Sequence, residues 1–305
     1  MGLYEKKRYT LKNPLTPMLA LVKQPNSSVK LGQWQTPSKS AALVTLLPAV
    51  VGLCRTDLRV ASGEIPLDAP MVLGHECSAW VEQDPTGRFP EGTLVALNPL
   101  LPDGRFIGLH AQGVLCERFI APSSQLVAVP PGVSLEQAAY LEPVAASMAV
   151  LKARISRSHR GVIYHNNRIS HLTWLILSSR GYSVDWIRRP PEGDLIDQYD
   201  YAVETVFDEQ TISALVKALK PGGLLVVKSR QYSPVPLVPG ALVAKDLTLQ
   251  AVSYYDFEHS MVWLSHHCAD LAPLLGNTWP LSKWEVAFEE AAAAEARKTF
   301  IKVSQ

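Results

Sequence analysis

Up to Val133 the chain is written in short runs of β-forming residues with no helical periodicity, and from Ser134 strand-like runs alternate with helix-like ones. Closely spaced short strands broken by turn-rich sequence indicate a domain of barrel type. The expected strands are Met18 to Val22, Ala41 to Leu47, Val72-Leu73 resuming at Ala79 to Glu82, Thr93 to Leu97 and Gln125 to Val129. Pro130-Pro131-Gly132 closes the last of them as a turn. Strands that alternate with helices indicate βαβ units on a parallel sheet. The order expected there begins with a helix over Leu135 to Ala153, broken at Pro143, then strand Val162 to Tyr164 and helix Ser170 to Arg180. Strands Ser183 to Ile187 and Tyr201 to Glu204, helix Gln210 to Leu219, and strands Leu224 to Lys228 and Leu247 to Val252 follow. An amphipathic helix over Trp284 to Ala296 and a strand over Lys298 to Val303 end the pattern.

A chain of 305 residues suits two domains, or one large one, with ample core. The net charge of +1, with no basic block, leaves no nucleic-acid footprint. The N-terminus is charged and lacks the apolar centre of a secretory signal. Lys6 stands where myristoylation of Gly2 wants Ser or Thr. The most apolar run, Ala41 to Cys54, is too short to span a membrane and contains Pro48. Four cysteines in a chain this long make no disulfide framework, so reduced thiols and a cytoplasmic setting are expected.

The chemistry concentrates in Val51 to Glu76, which holds Cys54, Asp57 and Gly74-His75-Glu76. A thiolate, an imidazole and carboxylates are the donors of a catalytic zinc with one position left open. Taken singly, Cys54 reads as a buried small hydrophobe and His75 as a satisfied loop histidine. Together, Cys-Arg-Thr-Asp and Gly-His-Glu at this spacing resemble the zinc signature of the medium-chain alcohol dehydrogenase family, in its threonine- and sorbitol-dehydrogenase-like branch. The resemblance runs roughly from Met18 to Val303. It implies an α/β architecture in which a GroES-like β-barrel catalytic domain (1–150 and 281–305) receives a shortened Rossmann-like doubly wound domain (151–280).

The resemblance also implies residue roles. Its fourth ligand is the glutamate of Leu141-Glu142-Pro143, so one catalytic zinc would be held by Cys54, His75, Glu76 and Glu142, with Glu76 swinging in or out. Asp57 matches the carboxylate that orients the zinc histidine and fixes its tautomer. Thr56 matches the hydroxyl that passes the substrate proton; on its own it reads as a threonine capping a turn. Arg55 matches a position that meets the cofactor pyrophosphate. Arg59 stands where some relatives end the proton relay with a histidine, and a guanidinium cannot shuttle a proton at neutral pH. Glu142 alone reads as a carboxylate favoured at a helix start. The structural zinc of many relatives has no counterpart, since only Cys116 lies between Asn98 and Ile120. Cys77 and Cys268 lack partners at metal spacing, and His266-His267 diverge on a helix as a surface pair.

The nucleotide loop departs from that pattern. Dehydrogenases end the first strand of the βαβ unit in G-x-G-x-x-G, whose glycines admit the pyrophosphate and pack helix on strand. Here His165, Asn167 and Ser170 stand at the three glycine positions. Asn tolerates positive φ, and Ser170 is small enough to pack and to cap the helix. His165 and Asn167 put side chains where the pyrophosphate passes. Arg188-Arg189-Pro190-Pro191 then runs almost directly into Gln198 to Glu204, so a helix and a strand that relatives carry are missing. If a dinucleotide binds, Arg188 or Arg168 favours NADP over NAD; Arg188 and Arg189 are read first as a solvated turn.

Two functions follow. One is a zinc-dependent NAD(P) oxidoreductase acting on a small alcohol, ketone or aldehyde. The other is a zinc enzyme that has lost the dinucleotide and works as a lyase, cyclase, hydratase or isomerase. The loop predicts weak NAD(H) binding, at about a millimolar or worse. Leu53, Leu58, Trp80 and Tyr254 are the expected pocket lining. A homodimer through the Leu247 to Val252 edge is what the resemblance implies.

Overall fold

Val44–Gly52, with three valines and no charge, forms the strand around which the barrel is assembled. The structure, a computed structural model, describes residues 17–38, 40–188, 195–230, 234–293 and 295–304. The N-terminal signals weighed above and the Arg189-Pro190-Pro191 turn lie outside these residues. In chain order the barrel half contains β1 (Met18–Lys23), β2 (Val29–Trp34), β3 (Val44–Gly52), α1 (Arg55–Ser62), β4 (Met71–Val72), β5 (Glu76–Gln83), β6 (Leu94–Leu97), β7 (Phe119–Ala121) and β8 (Leu126–Ala128). The second half contains α2 (Leu135–Ala139), α3 (Leu141–Met148), β9 (Arg160–Tyr164), α4 (Arg168–Ser179), β10 (Ser183–Ile187), β11 (Tyr199–Val203), α5 (Glu209–Ala218), β12 (Leu219–Val227), α6 (Pro239–Val243), β13 (Thr248–Ala251), α7 (Phe257–His266) and α8 (Cys268–Leu271). β14 (Leu275–Pro280), α9 (Trp284–Ala293) and β15 (Lys298–Lys302) bring the chain back to the barrel.

β3 pairs antiparallel with β5 along one edge. Along the other it pairs with β7 through Val44–Leu46 and with β15 through Val50–Gly52. Pro48, which has no N–H to give a ladder, sits where β3 changes partner and where the register with β5 shifts. β14 lies in this same seven-stranded sheet, ahead of the return at 281 expected from the sequence. Leu21, Leu46, Leu73, Val81, Leu126 and Ile301 are among the residues that fill the barrel core.

Two expectations are corrected here. No helix was expected before Ser134, yet α1 is one; it buries only Asp57 and Val60, too few apolar positions to show a period. Gly63, at φ 84°, ends it in the left-handed conformation. The long helix breaks at Tyr140, between α2 and α3, and not at Pro143. Pro143 falls in the first turn of α3, where its missing N–H has no intrahelical partner to lose.

The five parallel strands run in the order β10-β9-β11-β12-β13. A complete dinucleotide fold has one more strand beyond the second; here β10 takes that edge. α3 joins the two halves. Its Val144, Ala145 and Met148 share one buried cluster with Leu172 and Ile176 of α4, Phe257 and Met261 of α7, and Val50 and Phe300 of the barrel. Glu142 therefore stands at the seam. No helix among the described residues is long and apolar enough to cross a membrane.

Candidate metal centre and the cleft beside it

Cys54 directly precedes α1, and its N–H donates to Asp57 Oδ2 at 2.9 Å. The other oxygen of Asp57 accepts from Gly74 N at 3.0 Å and lies 3.4 Å from His75 Nδ1. One carboxylate, fully buried, thus ties the start of α1 to the loop that carries the histidine. Gly74 has φ 90°, a conformation a side chain resists, and its amide and carbonyl are both fixed, the carbonyl by Val114 N at 3.1 Å. His75 and Glu76 follow from this turn as β5 begins, and Glu76 lines the cavity.

Ligand atoms of Cys54, His75 and Glu76 lie within 4.8 Å of one another. His75 Nδ1 and Glu76 Oε2 are buried without an aligned hydrogen-bond partner, and Glu76 Oε1 accepts from Lys298 Nζ at 2.5 Å. Gly52 leaves room for that pair, since a Cβ there would come within 2.6 Å of Glu76 Oε2. Burial alone would push the Cys54 thiol up. The hydrogen bond and charge of His75, with the charge of Lys298, outweigh it and hold Cys54 down at about 6. Burial also disfavours charge on Asp57 and His75, but each holds the other charged, Asp57 low and His75 high. Burial pushes the Glu76 carboxyl up against the pull of Lys298. A poised thiolate, an imidazole and an under-satisfied carboxylate are a fitting donor set for zinc.

Glu142 lies outside this group of three but lines the same cavity. Its Oε1 accepts from the hydroxyl of Tyr254, whose oxygen accepts from Arg230 at 2.7 Å. Thr56 Oγ1 lies 3.9 Å from Cys54 Sγ on the cavity wall. Arg59 is held by Glu64 at 3.3 Å and reaches the Arg230 carbonyl at 3.4 Å. Of the expected lining, Tyr254 is at the site, whereas Leu53 and Leu58 pack in the barrel cluster and Trp80 sits on β5 opposite Leu47.

At the start of α4 the amides are already taken. Asn167 is the cap, and its Oδ1 accepts from Ile169 N and Ser170 N at 2.9 Å each. The Arg168 amide donates to the Glu295 carbonyl at 3.0 Å. Ser170 does not cap; its hydroxyl donates to the Tyr164 carbonyl at 2.8 Å and meets Thr205. His165 adopts φ 79°, as a glycine would, with its imidazole on Thr211 at 2.7 Å. Arg55 forms an ion pair with Glu295. Arg188 stacks on Trp186 at 4.3 Å, and His171 stacks on the same ring.

Sequence reasoning did not find Lys298, Lys228 or Glu295. A lysine opening a strand looks like a solvent residue, and nothing local marks Glu295. Lys228 Nζ rests on the hydroxyls of Ser147 and Thr173 at 3.4 Å each, and burial holds its pKa down to about 8 despite Glu204 and Glu142. A cavity of about 200 Å³ lies between the candidate metal ligands and this wall.

The family description "Alcohol dehydrogenase GroES-like domain" matches residues 41–131. The D-xylulose reductase of Morganella morganii is 23% identical, over 90% of this chain and 98% of its own. The sorbitol dehydrogenase of Homo sapiens is also 23% identical, over 89% of this chain and 92% of its own. The structure of an E. coli CFT073 short chain alcohol dehydrogenase, solved with NADH, superposes with a TM-score of 0.84 at 16% identity, covering 94% of this chain and 100% of that one. Residues 41–131 thus carry the alcohol dehydrogenase GroES-like domain, and over nearly its whole length the chain is similar to polyol dehydrogenases and shares the two-halved α/β fold of solved dehydrogenase structures.

Proposed function

We propose that the protein is an oxidoreductase acting on a small polyol or its carbonyl counterpart at a zinc held by Cys54, His75 and Glu142, with Glu76 as the exchangeable fourth group. The observation that carries this is the convergence of Cys54, His75 and Glu76 at the seam where the carboxyl ends of the parallel strands open. Relatives named for D-xylulose reduction and sorbitol dehydrogenation support the substrate class. When bound, the metal supplies Lewis acidity to a substrate oxygen. Asp57 fixes the tautomer of His75, and Lys298 balances Glu76. Tyr254 positions Glu142. Thr56, on the cavity wall, takes the substrate proton; Arg59, held by Glu64, stays protonated and relays none. A homodimer through β13 and a cytoplasmic setting belong to the same reading.

The start of α4 does not fit a pyrophosphate as it is folded. Such a group needs bare amides at the helix end, and those of Arg168, Ile169 and Ser170 are bonded within the protein. For a dinucleotide to enter, the Glu295 carbonyl must leave the Arg168 amide. This capping favours a second reading, a non-redox zinc enzyme of the lyase, cyclase, hydratase or isomerase kind. One experiment decides between them: zinc analysis of the purified protein together with titration by NADH and NADPH, followed through nicotinamide fluorescence. Low-micromolar binding of either establishes the oxidoreductase, NADPH the tighter of the two if Arg168 or Arg188 reaches its extra phosphate. Retained zinc with no binding of either establishes the second reading, and loss of both zinc and binding defeats the two together.

A further inference from the structure

The cavity wall facing the candidate metal ligands carries one buried and one half-buried cation that form no ion pair among the described residues. Among the described residues six basic side chains line the cavity; three are ion-paired, Arg55 with Glu295, Lys298 with Glu76 and Arg59 with Glu64, and Arg230 is exposed and donates to the Tyr254 hydroxyl. Arg168 and Lys228 remain. Arg168 is 8% exposed, and its Nε has no hydrogen-bond partner among the described residues. The hydrogen bonds of Lys228 Nζ go to the neutral hydroxyls of Ser147 and Thr173, and the charges of Glu204 and Glu142 reach it without an ion pair. The nearby carboxylate of Glu204 turns instead to the backbone N–H groups of Lys228 and Ser229, at 3.2 Å each. The acidic residues that line the cavity, Glu76, Glu142 and Glu295, are all bonded elsewhere. A buried cation without a partner is costly unless an anion comes to it. A bound metal ion adds positive charge to the same cavity.

We propose that Arg168 and Lys228 form a subsite for the anionic end, a carboxylate or a phosphate ester, of a short polyol-type substrate whose other end reaches the metal centre. This deepens the reading given above and rests on it for the metal. The helix amides are closed to the anion, so side chains alone grip it. The grip is charge-assisted, and Arg168 presents a fork suited to two oxygens. At about 200 Å³ the cavity is below the range of about 300–1,000 Å³ that holds drug-sized ligands, so the substrate is small.

The test is calorimetry on the full chain loaded with zinc, using a neutral hexitol, the matching hexitol phosphate, an aldonate of the same length and inorganic phosphate. An anionic polyol should bind about ten- to a hundredfold tighter than the neutral one, as charged hydrogen bonds are worth. Whichever of ester and aldonate binds tighter identifies the anion. Arg168→Met and Lys228→Met should each abolish most of the preference without changing the neutral hexitol's affinity, and Arg168→Lys should restore part of it. Circular dichroism and zinc content accompany every variant. Loss of zinc counts against the metal reading; loss of preference with zinc retained supports the subsite. Equal affinity for neutral and anionic polyols, a preference that survives both methionine variants, or dependence of NADPH binding rather than polyol-anion binding on the pair overturns it.

Discussion

Asp57 reaches the Cys54 amide, the Gly74 amide and the His75 ring from a single buried side chain. Asp57→Asn keeps its shape but turns an N–H toward groups that need an acceptor. It should lower stability by about 1–3 kcal/mol and weaken zinc retention by about ten- to a hundredfold, read by denaturant titration and metal analysis. Lys228 offers a test by pH. Its folded pKa, about 8, lies below the ordinary 10.5, so between these values the unfolded chain binds more protons and stability rises with pH. Lys228→Met should flatten that rise relative to the wild type; an unchanged slope would mean that the ammonium is not desolvated. Cys54, His75 and Glu76 were legible in the sequence because their spacing is a motif. Lys298 was not, because its partner Glu76 lies on a different strand and no pattern links a strand-opening lysine to it.

Among the elements, the strands were legible wherever β-branched runs met turn residues, and Ser183 to Ile187 falls where β10 does. α1 was hidden because a short polar helix that buries one aliphatic side chain has no period to read. The break at Tyr140 was missed because Pro143 looked like the stronger breaker, although a first turn tolerates it. At α4 the loss of glycines was visible, but its consequence needed the structure. Asn167 becomes the cap, and a carbonyl from the far end of the chain covers the next amide. Replacing a capping Asn by Gly costs only a few tenths of a kcal/mol, so Asn167→Gly should barely alter stability while freeing the Ile169 and Ser170 amides. Combined with Glu295→Ala, which removes the ion pair to Arg55, it should raise NADH affinity measurably over the wild type in a fluorescence titration. Unchanged affinity would locate the obstacle at His165 instead.

For the whole molecule, the two-halved plan was legible from the change in periodicity at Ser134, while the return near Leu275 was not, since β14 mixes Gly276, Asn277 and Pro280 into its run. The proposed metal ligands come from the barrel and, with Glu142, from α3, so an ion held by that set would link both halves. A ligand that binds only the folded state stabilises it by mass action. Stripping zinc with a chelator should therefore lower the melting temperature of the whole chain in one transition rather than loosening the barrel alone. Two separated transitions would show that the halves unfold independently.

α3 belongs to both cores, and Glu142 rides on it. Any change in the gap between the cleft walls must pass through that helix or bend around it, and either way the carboxylate moves relative to Cys54 and His75. The seam is in that sense a lever with its tip at the metal. Cobalt substituted for zinc would act as its gauge. Its visible absorption should shift when a small ligand draws the walls together, even where that ligand never touches the ion.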